Sequence, residues 1–226
     1  LETMRSERKR IIALEEHVNR LFESAHSIAL PLGTSRDALK RFLEKEVTSR
    51  LFANATLRIT FVREGRSSRL FLIVKEARQY PISYYEKGVV IRTSPTRRNA
   101  IFSMDAQMKT REFLNGILST LDGESSQEDA FEEIYLDASG YVTEGRISNI
   151  FFAKEKRLFT PPLYLGVLRG ITRDQTIQAA KRIGVSVHEE PFTRFNLYGA
   201  EEVFLTNTSM GVMPVVSNTA PDQFCA

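Results

Sequence analysis

The sequence predicts an α+β protein built in two parts. Near the start, apolar residues recur at helical spacing and alternating strands follow them. Ala77 to Gly88 then runs without any clear period, and beyond it strands and helices mix again. With 226 residues, at roughly 100–200 per domain, the chain holds one large domain or two small ones. The expected division is a first domain over 1–80, a connecting loop over 81–88 and a larger domain over 89–226.

The elements follow in order. Leu14, Val18, Leu21, Phe22, Ala25, Ile28 and Ala29 form one face of a helix running to Leu30, where Pro31 stops it. Ser35 is a good N-cap for a second helix burying Leu39, Phe42, Leu43 and Val47. Thr56 to Arg63 alternates, with Leu57, Ile59 and Phe61 on one face. A turn over Glu64 to Ser68 returns the chain as a strand over Leu70 to Val74. Past the aperiodic stretch, Val89 to Arg92 reads as a strand and Lys109 to Leu121 as an amphipathic helix. Two hairpins pair Ile134–Asp137 with Tyr141–Glu144, and Ile150–Ala153 with Leu158–Thr160. Thr172 to Ile183 is a helix with Thr172 as N-cap and Gly184 just past its end. Strands over Val185 to His188 and Val203 to Leu205 complete the layout.

Composition excludes several classes. Hydrophobic residues at 42% and charged residues at 26% are globular proportions, which argues against disorder or a fibrous repeat. A net charge of +3 is too small an excess to argue for nucleic acid. The single cysteine, Cys225, permits neither an internal disulfide nor a Cys-rich metal site, and His17, His26 and His188 lack paired metal-ligand spacing. No apolar run approaches the ~20 residues that span a bilayer, and the charged start is not a signal peptide, so a cytoplasmic protein is expected.

Three segments carry chemistry. In Gly166-Val167-Leu168-Arg169-Gly170-Ile171-Thr172-Arg173 a glycine-bearing turn feeds a helix whose first N–H groups are available to a phosphate. The same segment also reads as a plain loop before a capped helix. Glu144, in Glu144-Gly145-Arg146-Ile147-Ser148-Asn149, is a strand-end carboxylate whose ordinary fate is an ion pair. Lys109 begins a predicted helix, where the dipole favours an acid instead. Taken singly it reads as a surface lysine. His17 shares a helix face with Arg20 and reads as structural. Arg97 and Arg98 suggest an anion patch, without the interleaved aromatics of nucleic-acid stacking.

In order, Lys109 in Met-Lys-Thr, Glu144 in Glu-Gly-x-x-Ser-Asn, Leu168 to Arg173, and Phe204 to Ser209 resemble the class IV aminotransferases, a family of pyridoxal-phosphate enzymes. The family includes branched-chain and D-amino acid aminotransferases and aminodeoxychorismate lyases. Glu16 to Leu21 and Leu57-Arg58-Ile59 match it as well, so the resemblance runs from residue 1 to about 216. It implies the two-domain fold type IV architecture, D-amino acid aminotransferase-like. The small domain would be 1–80, and 89–226 would bind the cofactor. The implied activity transfers an amino group between a branched-chain-like amino acid and a 2-oxo acid. The alternative is the lyase, which releases pyruvate and 4-aminobenzoate.

The resemblance also implies roles. Lys109 joins pyridoxal 5′-phosphate as a Schiff base and shuttles the proton. Glu144 faces the pyridine nitrogen and keeps the ring an electron sink. Arg20 binds the phosphate bidentately, joined by the Ile171 and Thr172 amides after Gly170 and by the Thr208 hydroxyl. Leu168 packs on the ring. Arg58 reaches the substrate carboxylate, although strand parity equally allows an exposed arginine. Tyr84 and Asn207 are substrate contacts, Tyr84 with Tyr85 standing where the family has a mobile loop. Amino acids and 2-oxo acids are the expected partners, with a second copy of the chain as a homodimer.

Leu1-Glu2-Thr3-Met4-Arg5 resembles the family's Glu-Thr-x-Arg strand, which members precede by a few tens of residues. A helical tail usually follows the position of Pro214-Val215. The sequence therefore reads as shortened at both ends. Arg146 is larger than the residue often found there. Gly211 stands where many transaminases carry an acid, which leans toward the lyase, while Phe113-Leu114-Asn115 looks as much like the transaminases.

Overall fold

The computed structural model describes residues 1–101, 103–110 and 130–216. The chain divides into two compact units, one of Leu1–Gln79 with Met108–Arg111, the other of Tyr80–Gln107 with Glu112–Ala226.

The first unit opens with a hairpin of β1 (Glu2–Glu7) and β2 (Arg10–Ile11), whose turn residues Arg8 and Lys9 take positive φ. Helices α1 (Leu14–Ser27) and α2 (Arg36–Thr48) follow, then a long hairpin of β3 (Ala55–Glu64) and β4 (Ser67–Glu76). The antiparallel sheet has the order β2-β1-β3-β4. Met4, Leu57 and Ile59 from its inner face meet Val18, Leu21, Leu39, Leu43 and Val47 from the helices. Ser35 caps α2 as expected, its hydroxyl accepting from the Ala38 amide at 3.2 Å. Phe42 lies on the flank of the Leu39–Leu43–Val47 stripe and is exposed rather than buried. Helix α1 ends at Ser27, short of Leu30. The residue before a proline is disfavoured in a helix, and Ala29 has already turned left-handed at φ 48°.

The second unit begins with α3 (Ile82–Lys87), a six-residue helix in the stretch read as aperiodic. So short an element has too few turns to show a period. Strands β5 (Ile91–Thr93), β6 (Glu132–Leu136) and β7 (Val142–Gly145) form one sheet, with β5 parallel to β6. β8 (Asn149–Lys154), β9 (Arg157–Thr160), α4 (Ile171–Arg182), β10 (Ser186–Glu189), α5 (Arg194–Tyr198), β11 (Glu202–Asn207) and β12 (Gly211–Pro214) follow. Their sheet has the order β10-β9-β8-β11-β12. Ile134, Val142, Ile150, Phe152, Leu205 and Met213 unite the two sheets in one core. Helix α4 lays Ile177 and Ala180 on Phe151 and Leu158 of the larger sheet. The helix expected over Lys109 to Leu121 lies, from residue 111 on, outside the described residues; Lys109 and Thr110 are not helical.

Candidate functional site

Glu144 sits near the end of β7 with its carboxylate buried. Oε2 accepts from Asn149 Nδ2 at 3.1 Å and from the Leu168 amide at 3.0 Å, and Oε1 accepts from Arg98 Nη2 at 2.5 Å. Arg98 Nε also donates to the Gly166 carbonyl at 3.2 Å. Both carboxylate oxygens are thus fixed by donors from three separate segments, which holds a charged acceptor in one orientation.

The turn leading from Glu144 to Asn149 is held from below by Glu132 on β6. Its carboxylate accepts from the amides of Glu133, Arg146 and Ile147 at 3.2, 3.1 and 3.3 Å and from Ser148 Oγ at 3.0 Å. Burial pushes the Glu132 carboxyl up to about 7, outweighing the Arg146 charge and these hydrogen bonds.

Leu168 leads into α4. Gly170, not Thr172, is the N-cap, extended at φ −69° and ψ 133°, so Thr172 falls in the first turn. A Cβ at Gly170 would stand 2.0 Å from Asn149 Oδ1, which is why only glycine fits. Glycine brings no capping side chain, so the first-turn amides of a three-turn helix start without one. Arg173, fully buried, anchors the helix to the sheet through the Pro161 carbonyl at 3.0 Å and Glu189 at 2.7 Å.

β11 runs beside β8, with Thr206 opposite Asn149. Thr208 lies two residues further, in the turn to β12. The Asn207 side-chain oxygen serves that turn, accepting from the Ser209 and Met210 amides at 2.8 Å each. Tyr85 donates to the Met210 carbonyl at 2.9 Å, while Tyr84 sets its ring edge-on to Phe131.

In the first unit, Arg20 on α1 pairs with Glu2 on β1 through Nε and Nη2, both at 2.7 Å. His17 Nδ1 lies 2.8 Å from the same carboxylate, as befits a structural histidine. Burial pushes the Glu2 carboxyl up, but hydrogen bonds and charge from Arg20 and His17 prevail and hold it at about 2. The Nε–Nη2 edge of Arg20 thus pairs with Glu2. The Lys109 amide donates to Ser24 Oγ at 3.1 Å, and Ser24 is one turn past Arg20 on the same helix face. Arg58 points outward from β3 beside Ile73 of β4 and is exposed.

The fold thus draws the expected residues into two groups. Arg20 lies on α1 one turn from Ser24, which holds the Lys109 amide, and Glu144 and Leu168 are bonded beside the Gly170–Thr172 start of α4. Arg58 and Tyr84 stand apart from these bonded networks. Arg98, Asn149 and Glu132 were not among the expected site residues. Asn149 belonged to a quoted motif, whereas Glu132 in a Glu-Glu pair carried no sign of burial.

The family model for amino-transferase class IV matches residues 1–218. The branched-chain-amino-acid aminotransferase of Escherichia coli strain K12 is 31% identical over 219 residues, 89% of this chain and 69% of that one. The crystal structure of the Escherichia coli branched-chain amino acid aminotransferase superposes with a TM-score of 0.85 at 28% identity, covering 95% of this chain and 75% of that one. A T.th. branched-chain amino acid aminotransferase with pyridoxamine 5′-phosphate gives the same TM-score and identity, covering 95% of this chain and 74% of its own. The fold is therefore the mixed α+β architecture of these fold type IV enzymes, and the chain belongs to the class IV aminotransferase family.

Proposed function

We propose that this chain transfers an amino group between a branched-chain-like amino acid and a 2-oxo acid, using pyridoxal 5′-phosphate. Its relatives are branched-chain aminotransferases, and one of them was solved with pyridoxamine 5′-phosphate. The observation that carries the reading is the Glu144 carboxylate, fixed on both oxygens and tied by Leu168 to the uncapped start of α4. A rigid anion for a ring nitrogen and a helix end for a phosphate fit the two polar ends of that cofactor.

When bound, pyridoxal phosphate supplies an electrophilic carbon for the amino nitrogen and a ring that withdraws electrons from the Cα–H bond. Glu144 holds the proton on the ring nitrogen. The Ile171 and Thr172 amides and the Thr208 hydroxyl hold the phosphate. Arg20, paired with Glu2, would bind the phosphate with them. Leu168 packs on the ring. Lys109 Nζ carries the cofactor and moves the proton at the substrate Cα, which requires an amine that is neutral for part of the cycle. Arg58 pairs with the substrate carboxylate, with Tyr84 and Asn207 lining the same substrate. The first unit then acts as the small domain and the second as the cofactor-binding domain, and the working form is a homodimer.

The test combines leucine with 2-oxoglutarate and follows glutamate formation, with added cofactor, in the wild type and Lys109→Ala. Turnover in the first and none in the second is expected. Pyruvate release from aminodeoxychorismate without any 2-oxo acid acceptor would assign the lyase reaction instead.

A further inference from the structure

The proposed chemistry gives no part to Asn149, a buried side chain that touches Glu144 directly. Asn149 opens β8, and its amide nitrogen spans two acceptors, Glu144 Oε2 at 3.1 Å and the Leu168 carbonyl at 3.0 Å. Two hydrogens meet two acceptors, which fixes the amide's orientation, because a flipped oxygen would face a carboxylate and a carbonyl. The oxygen in turn fills the space that a side chain at residue 170 would need.

Its neighbour Ser148 does something different. Ser148 Oγ donates to Glu132 and ties the turn back to β6, whereas Asn149 ties it forward to the segment entering α4. The helix itself is secured elsewhere, by Arg173 against Pro161 and Glu189. Removing the Asn149 bridge leaves Glu144 with only the Leu168 amide and Arg98, and loosens the Leu168 carbonyl, without releasing the helix.

Resting on the cofactor reading above, we propose that Asn149 is a positioning residue. Its amide adds a second tie, beside the Leu168 N–H, that fixes the separation and orientation between the carboxylate that faces the ring nitrogen and the helix start that faces the phosphate. Preorganisation of this kind lowers the cost of binding, so its loss appears as weakened cofactor affinity.

Asn149→Asp preserves the outline but replaces the donor with an acceptor beside Glu144. At pH 8 this variant should bind pyridoxal phosphate at least tenfold more weakly than wild type, by titration of the visible band. The gap should narrow as pH falls, because a proton shared between the two carboxylates restores a donor. Melting temperature without added cofactor is read in parallel to confirm that the variant is folded. Equal affinity at pH 8, or a loss independent of pH, overturns the proposal, since packing alone does not titrate. Should Asn149→Asp fail to fold, Asn149→Ala carries the test. A tenfold weaker titration at a melting temperature within a few degrees of wild type supports the bridge, and unchanged affinity overturns it. Absence of any band in the wild type would instead overturn the cofactor reading itself, and this proposal with it.

Discussion

Glu2 and Arg20 form a two-point ion pair between the first strand and the first helix, with both contacts at 2.7 Å and the carboxylate wholly buried. The pair joins β1 to α1 and aims the guanidinium. Such a buried carboxylate is stable only because Arg20 and His17 answer it.

Glu2→Gln keeps the shape but takes the buried counter-charge away from Arg20. The expected cost is on the order of 3 kcal/mol of stability, read by urea denaturation at pH 7, with weakened cofactor binding beside it. The folded carboxyl lies at about 2, below its ordinary 4.5. Its contribution is therefore complete above pH 4.5 and is lost as pH falls toward 2. A variant as stable as wild type at pH 7 would contradict this role.

Glu132 gives the opposite slope. Its folded carboxyl lies at about 7, above 4.5, so the folded state binds the extra proton between those values. Stability from this group is greatest below pH 4.5 and declines as pH rises toward 7. Melting temperatures of wild type and Glu132→Gln between pH 5 and 8 should converge or cross as pH rises. Parallel curves would show that the group does not titrate in that window.

Gly170→Ala places a methyl group 2.0 Å from Asn149 Oδ1, inside a side chain already locked at its other end. Overpacking of this order costs about 1–3 kcal/mol. The prediction is a lower denaturation midpoint for Gly170→Ala alone, and little further loss when it is added to Asn149→Ala. Additive losses would mean that the two residues do not collide.

What the sequence revealed and what it hid divide along physical lines. α1 and α2 each turn several times, so their apolar stripes were readable, and Leu57 and Ile59 alternated as a half-buried strand must. α3 and α5, six and five residues long, have too few turns to establish a period. Ile134 to Asp137 was legible as a strand, but β6 begins two residues earlier, at Glu132, and is buried throughout, which two adjacent glutamates do not signal. Arg173 was similarly hidden, because its burial depends on Pro161 and Glu189, partners distant in sequence. Lys109 and Glu144 each stood out through their motifs. The bonds that orient Glu144 come from Arg98, Asn149 and Leu168, and only the folded chain shows which segments converge on it.

The most direct measurement is the visible absorption spectrum of the protein with added pyridoxal phosphate, repeated for Lys109→Ala and after borohydride reduction. The wild type should show a band that borohydride abolishes, that leucine bleaches and that Lys109→Ala lacks. A wild type without the band, or a Lys109→Ala variant that retains it with the same response to borohydride, would contradict the assignment of Lys109 as the residue that carries the cofactor.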